Sequence, residues 1–439
     1  MKKEILAFAS TIAACSAMAF TVTDVSARQR YPWNNLVDVD FTIGDTAATD
    51  TFRIEVKAAY AGGDRELEAR TFLPDPVVKA GKGRVTWAIE EDYPNLKAED
   101  VKVAVTVVPF TSLTPVYMVI DLSGGSTAKS YDVRYTTKNP VHTPKAKDAC
   151  KTTQLWLRRI KATGVPFVFR SATTPEENNN TFYVKLTKDY YIGIFETTQQ
   201  QWYQMSGKWV GEMSNETWRA TRPLDNYSPA LLYTEDDFLW PDVKEPIASS
   251  LLKKLRNRTG LATLNLPTEA QWQFAAVAGA TRSIDRYLDP DGNQYNLADI
   301  ARYYANATNE SYSTGLCDAD SGTACVGTYK PNAFGLYDVI GNVNEDCLDP
   351  YVLLSAGLRQ YYIDNGYIKD YTEAVVDPEG IPIAAAKKLH SDGKHRAVTR
   401  GGRYKDKNPS LWTIDNGFLN YAGDAKPCTR GFRFCVTCE

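Results

Sequence analysis

The stretch GLYDVIGNVNEDCLD, Gly335 to Asp349, places Asp338, Glu345, Asp346 and Asp349 around a Gly-Asn turn with no Lys or Arg among them. Carboxylates this dense repel one another unless they are solvated or share a cation. The stretch can be a metal site, a catalytic cluster or a hydrated loop, and the rest of the chain has to decide among the three.

The chain has 439 residues, and at roughly 100–200 residues per domain this predicts two or three units. A hydrophobic content of 43% with 12% aromatic residues is that of globular protein. The net charge of −3 gives no bulk attraction to phosphate, so no nucleic-acid partner is expected. The most basic stretch, LLKKLRNR from Leu251 to Arg258, reads as an amphipathic helix with a solvated face.

The opening MKKEILAFASTIAACSAMAF carries Lys2 and Lys3, an apolar run from Ile5 to Ala14, and the small-residue site Ala17-Met18-Ala19, which reads as a signal peptide over 1–19. Ile12-Ala13-Ala14-Cys15 offers the alternative of a lipoprotein anchor at Cys15. No later segment approaches the ~18 apolar residues of a membrane span, so no transmembrane segment is expected. The expected location is secreted, periplasmic or at the cell surface. Outside the cytosol cysteines form disulfides more often than metal sites, which makes Cys317, Cys325, Cys347, Cys428 and Cys435 disulfide candidates. Cys317 and Cys325 flank DADSGTA and can close a short loop. Cys435-Val436-Thr437-Cys438 lacks the strand and helix that follow a thioredoxin CxxC.

Over residues 20–112 the pattern has period two, in LVDVDFTI, FRIEVKA, RVTWAI and VKVAVTVV, and predicts an all-β immunoglobulin- or fibronectin-like sandwich. Residues 113–150 hold a further strand pair, VYMVIDL and SYDVRYTT, then a linker-like NPVHTPKAKDAC. Which domain the pair joins is open. From 151 to 439 the texture is mixed α+β. Thr268 with Gln271, and either Thr197 with Gln200 or Thr198 with Gln201, predict capping boxes at two helix starts, and Trp202 and Trp272 behind them are expected in the core.

Four stretches, YYIGIFETTQQQWYQM, LNLPTEAQWQFAA, VGTYKPNAFGLYDVIGNVNEDCLD, and VTRGGRYKDKNPSLW running on to CTRGFRFC, resemble in order and spacing the formylglycine-generating enzyme, or sulfatase-modifying factor, family. The resemblance spans roughly Thr152 to Cys435 and implies a C-type lectin-like fold. It also implies oxidation of a client sulfatase's cysteine with copper held by two cysteines just beyond the Arg-Gly-Gly motif. Laid on Arg400-Gly401-Gly402, those positions fall at about Asp406 and Leu411, and no cysteine lies between Cys347 and Cys428. Soft thiolates select Cu(I), and a carboxylate beside a leucine does not replace them. No copper site and no catalytic residue are therefore assigned, and whether other chemistry remains is open. A second branch of the family binds iron through histidines. Here there are only His142, His390 and His395, which read as loop residues.

A third branch, the variable proteins of diversity-generating retroelements, displays ligand-contacting residues after the Arg-Gly-Gly motif. By that resemblance Tyr404, Asn408, Trp412, Asp415, Asn416, Asn420 and Tyr421 are ligand-contact candidates, a mixture of aromatic and short polar side chains suited to adaptable recognition.

In calcium-bound relatives the motif similar to LYDVIGNVNED supplies ligands. These correspond to Asp338, the carbonyls of Gly341 and Val343, and Glu345, with a second site at Asn306 and Ala307 completed by oxygens near Asp318 or Asp320. The family pattern is Gly-Asn-Val-Trp-Glu-Trp, and Asn344 and Asp346 stand here in place of its tryptophans. Either other aromatics fill the neighbouring core or this loop faces solvent. The expectation is an exported binding module with structural calcium and a protein or glycan ligand. The alternatives are an enzyme of the superfamily acting on a protein, or a retroelement-diversified display protein.

Overall fold

The structure is a computed structural model that describes residues 20–30, 35–60, 65–96, 98, 101–170, 181–210, 219–225, 227, 230–233, 245–279, 296–307, 322–351, 355–382, 384–386, 396–409, 414–418 and 430–439. Residues 1–19 with Cys15, and likewise Cys317, Asp318, Asp320, His390, His395, Leu411, Trp412, Asn420, Tyr421 and Cys428, lie outside the described residues. For Asp415 and Asn416 only the backbone is described.

Two compact units divide the chain, residues 1–119 with 133–139, and residues 120–132 with 140–439. In the first, Thr21–Gln29, Leu36–Gly44, Gly81–Ala88, Thr71–Phe72 and Val133–Thr136 form antiparallel neighbours in that order. A second sheet is centred on Thr51–Tyr60, which pairs with Arg65–Glu68, Val77–Lys79 and Lys102–Pro109. Alternation sends Val37, Val39, Phe41 and Ile43 from one sheet, and Ile54, Val56 and Ala58 from the other, into one core around Trp87. The period-two pattern read in the sequence is thus the pattern of burial.

Among the described residues the second unit has less regular structure and three groups of paired strands. Gln154–Ile160, Tyr190–Gly193, Cys435–Thr437 and Leu264–Asn265 pair antiparallel, so the last strand of the chain closes on one that begins at Tyr190. Pro166–Phe169, Phe182–Lys185 and Ala374–Val376 form the second sheet. The third has the order Ile414–Phe418, Arg396–Arg400, Asn344–Pro350, Arg430–Gly431. The predicted capping boxes are present at Thr198 with Gln201, opening Gln199–Ser206, and at Thr268 with Gln271, opening Glu269–Ala276. Trp202 and Trp272 are buried, and Leu251, Leu252 and Leu255 form the apolar face of the helix Leu251–Thr259.

Residues 113–150 are divided between the units, and the stretch expected to be a linker is folded into the second. His142 sits edge-on to both Phe195 and Tyr337, at centroid distances of 5.2 and 4.8 Å. Buried Lys151 donates to the carbonyls of Thr143 and Pro144, and Asp148 accepts from the Thr143 backbone. Proline and lysine gave this stretch a linker's composition, but Lys151 and Asp148 bond its backbone and the His142 ring fills an aromatic gap. Among the described residues no helix is long and apolar enough to cross a membrane.

Candidate functional site

The acidic stretch is mostly buried, and its second part is strand. Asn344–Pro350 is a wholly buried strand with neighbours on both sides. Its charges are neutralised by arginines distant in sequence. Both oxygens of Glu345 accept from Arg433, Nε and Nη2 each at 2.5 Å, and Trp272 Nε1 adds a third bond at 2.8 Å. Asp346, 0% exposed, accepts from Arg430 Nε at 2.5 Å and from the Tyr227 hydroxyl at 2.6 Å. Asp349 accepts from the backbone N–H of Glu269 at 2.6 Å, and Glu269 in turn pairs with Arg170 and Arg400. The position where the family carries its second tryptophan is thus a buried ion pair. The solvent-facing alternative for this loop is corrected.

The turn before the strand is equally committed. Asp338 and Asn342 have positive φ of 56° and 55°, and Gly341 lies between them at 77°. A Cβ on Gly341 would stand 2.2 Å from the Arg302 carbonyl oxygen, so only glycine fits. Glu196, which no sequence signal marked, clamps the turn by accepting from Asn342 Nδ2 at 2.6 Å and from the Val343 N–H at 3.1 Å. Asp338 Oδ2 accepts from the Gly327 N–H at 2.7 Å, while Oδ1 has no hydrogen-bond partner. Burial raises the Asp338 carboxyl to about 6 against the Gly327 hydrogen bond, and burial together with the nearby Asp338 and Glu345 holds Glu196 well above the carboxylate range.

Calcium takes 6–8 oxygens, and the donors named by the resemblance differ in whether they are already bonded. Glu345 is saturated by a guanidinium and an indole. At the second position, Asn306 Oδ1 accepts from the Tyr303 N–H, its Nδ2 donates to the Ala301 carbonyl, and its own carbonyl accepts from Arg302 Nη1. Ala307 is buried beside it. Asp338 Oδ1 remains as one unpartnered acidic oxygen. Among the described residues no group of three or more His, Cys, Asp or Glu side chains is arranged to hold a metal ion.

Cys150, Cys325, Cys347 and Cys435 are buried and none is bonded to another of the four, while Cys317 and Cys428 lie outside the described residues. Burial pushes Cys150 up to about 11 and Cys347 and Cys435 higher still, which suppresses the reactive thiolate.

After the Arg-Gly-Gly motif, Asp406 closes its turn. Its carboxylate accepts from the Arg403 backbone at 3.0 Å and from Arg403 Nε at 3.2 Å. Of the ligand-contact candidates, Asn408 is exposed. Tyr404 is 1% exposed and corrected to a core residue, its N–H donating to the Asn342 carbonyl at 3.0 Å. Tyr404 therefore anchors the segment behind the Gly-Asn turn. Arg170, Lys151 and Glu196 are buried polar residues that sequence reasoning missed; Arg430 and Arg433 were visible in the quoted CTRGFRFC but were given no partner.

Residues 162–437 match the family model described as a sulfatase-modifying factor enzyme 1-like domain. A formylglycine-generating enzyme of Thermomonospora curvata is 41% identical over 142 residues, 32% of this chain and 38% of that protein. The chaperone protein LppX of Paenibacillus barcinonensis is 30% identical over 180 residues, 36% of this chain and 61% of that protein. The matched region spans less than two thirds of either relative. Among solved structures, Treponema denticola variable protein 1 superposes with a TM-score of 0.41 at 18% identity, covering 68% of this chain and 100% of that one.

Proposed function

The chain belongs to the sulfatase-modifying factor family, and we propose that it is an exported module that uses a C-type lectin-like form of that scaffold to bind a protein client without oxidising it. One observation carries the reading. Where the resemblance calls for the first copper-binding cysteine, Asp406 is fixed to Arg403 as the closure of a turn, and no cysteine lies between Cys347 and Cys428. Cu(I) needs soft thiolates, and the two cysteines flanking this gap are Cys347, buried with its thiol held protonated, and Cys428, far along the segment. A protein client is favoured over a glycan because one relative is named a chaperone and the others are named for generating formylglycine, a modified residue of a protein. Export follows from the Lys2-Lys3 and apolar-run reading of the N-terminus, and the first unit is read as an immunoglobulin- or fibronectin-like carrier.

The test is a panel of surface proteins and glycans presented to the purified full chain by surface plasmon resonance. Saturable binding to a protein that survives its deglycosylation supports the reading. Binding to glycans alone contradicts it.

A further inference from the structure

Among the described residues, the sheet of Pro166–Phe169, Phe182–Lys185 and Ala374–Val376 ends on Ala374–Val376, which pairs in parallel with Phe182–Lys185 on its inner side. Val375 is buried, at 1% exposed. Its neighbours Ala374 and Val376 point the other way, in register with Tyr183 and Lys185, and Val376 is 55% exposed. The backbone opens at the same place. The Asp377 N–H donates to the Lys185 carbonyl at 3.0 Å, and a trans peptide sets the Val376 carbonyl opposite to that N–H. The Val376 carbonyl therefore faces the open side, and its own N–H shares that side by the alternation of a strand. Asp377 fixes the end of the edge, its carboxylate accepting from the Thr187 N–H at 2.8 Å and from the Thr187 hydroxyl.

The segment leading to this edge is aromatic and acidic. Tyr367 and Tyr371 are 60% and 40% exposed, yet both rings are held in place. Tyr367 stands edge-on to Tyr362 at a centroid distance of 5.5 Å, and the Arg359 guanidinium lies 6.0 Å from the Tyr371 ring while donating to the Thr181 carbonyl at 3.1 Å. Residues 364–379 carry Asp364, Asp370, Glu373, Asp377 and Glu379 against Lys369. Lys185, in register with Val376, is the basic residue on the inner side.

We propose that Ala374–Val376 is a docking edge that takes an extended, lysine- or arginine-bearing segment of another protein as an added strand. This rests on the reading of the module as a binder of proteins and names where the client sits. Open N–H and C=O groups on a strand are matched in spacing by another extended backbone. Edges kept from pairing carry Lys or Pro on the strand, and Ala-Val-Val carries neither. The surrounding carboxylates attract a cationic segment and repel an acidic one, and the faces of Tyr367 and Tyr371 suit its ammonium or guanidinium groups.

The test titrates the purified full chain against a short, capped, fluorescent peptide of alternating valine and lysine, read by fluorescence anisotropy. A valine-glutamate counterpart and a fully N-methylated valine-lysine peptide are the comparisons. The expected result is saturable binding of the valine-lysine peptide and affinities about tenfold weaker for the other two. Val376→Pro removes an N–H from the open side, and Val376→Lys keeps the backbone but adds a like charge. Each should weaken the valine-lysine peptide about tenfold at an unchanged melting temperature. No saturable binding, or binding as strong to either comparison peptide or by Val376→Lys, overturns the proposal. A concentration-dependent dimer that Val376→Lys abolishes in sedimentation gives the edge to a second copy and overturns it too. These failures leave the protein-client reading to its own panel, and a client found there that binds wild type and Val376→Lys alike overturns the edge while keeping the reading.

Discussion

Asp346 and Arg430 meet inside the protein, Nε to Oδ1 at 2.5 Å, with the Tyr227 hydroxyl on the other carboxylate oxygen at 2.6 Å. Burial raises the carboxyl of Asp346 while Arg430 and Tyr227 oppose the rise, so the ionised form depends on its partners. Removing one member of such a pair strands the other. Asp346→Ala should cost about 3–5 kcal/mol in urea unfolding. Asp346→Ala with Arg430→Met should cost less than the sum of the two single changes, and strict additivity would show the pair to be uncoupled.

Gly341 stands with φ of 77° and no room for a side chain against the Arg302 carbonyl. Gly341→Ala should therefore destabilise by more than the ~1–3 kcal/mol of left-handed strain alone, because the backbone of Arg302 must also move. The readout is melting temperature. A loss no greater than that of Gly366→Ala, where φ is 73° and no atom lies within 4 Å of the added Cβ, would contradict it.

Stability should fall as pH rises from about 4 to about 6. The folded carboxyl of Asp338 is raised to about 6 from 3.8, so across that window the folded state holds a proton that the unfolded state has released. Its stabilising contribution is complete below pH 3.8 and lost above 6, a change on the order of 3 kcal/mol at ~1.4 per unit. Urea midpoints between pH 4 and 7.5 should show this slope, and Asp338→Asn should flatten it, leaving the part that belongs to Glu196. An identical slope in both proteins would assign the effect elsewhere.

Cys150, Cys347 and Cys435 should resist alkylation at pH 8 and react on unfolding, because burial keeps each protonated and out of reach. Peptide mapping of non-reduced protein should find these three and Cys325 unbonded to one another. A disulfide joining any two of them would contradict the packing described.

What the sequence made legible was local. The capping boxes at Thr198 and Thr268 are contacts three residues apart, and the period-two strands of the first unit are a pattern within each strand, so both could be read without a fold. The acidic stretch could not. Its counter-charges, Arg430 and Arg433, come from 84 and 88 residues away, and Glu196 from about 150, so its composition looked unbalanced until the sheet brought them together. Tyr404 was misread for a related reason. A tyrosine among Asn, Lys and Asp resembles a contact residue, and only the Gly-Asn turn packed over it shows that it is core. The Pro- and Lys-rich stretch before Cys150 has a linker's composition, but its place was decided by an aromatic gap between Phe195 and Tyr337 that accepts His142.

The measurement that bears most directly on the central claim is a single assay on purified full-length protein. Cu(I) is titrated against a competing chelator, and a cysteine-containing sulfatase peptide is then followed by mass spectrometry under oxygen. The account predicts no stoichiometric Cu(I) binding and an unmodified cysteine. One equivalent of tightly held Cu(I) together with conversion of that cysteine to formylglycine would contradict it.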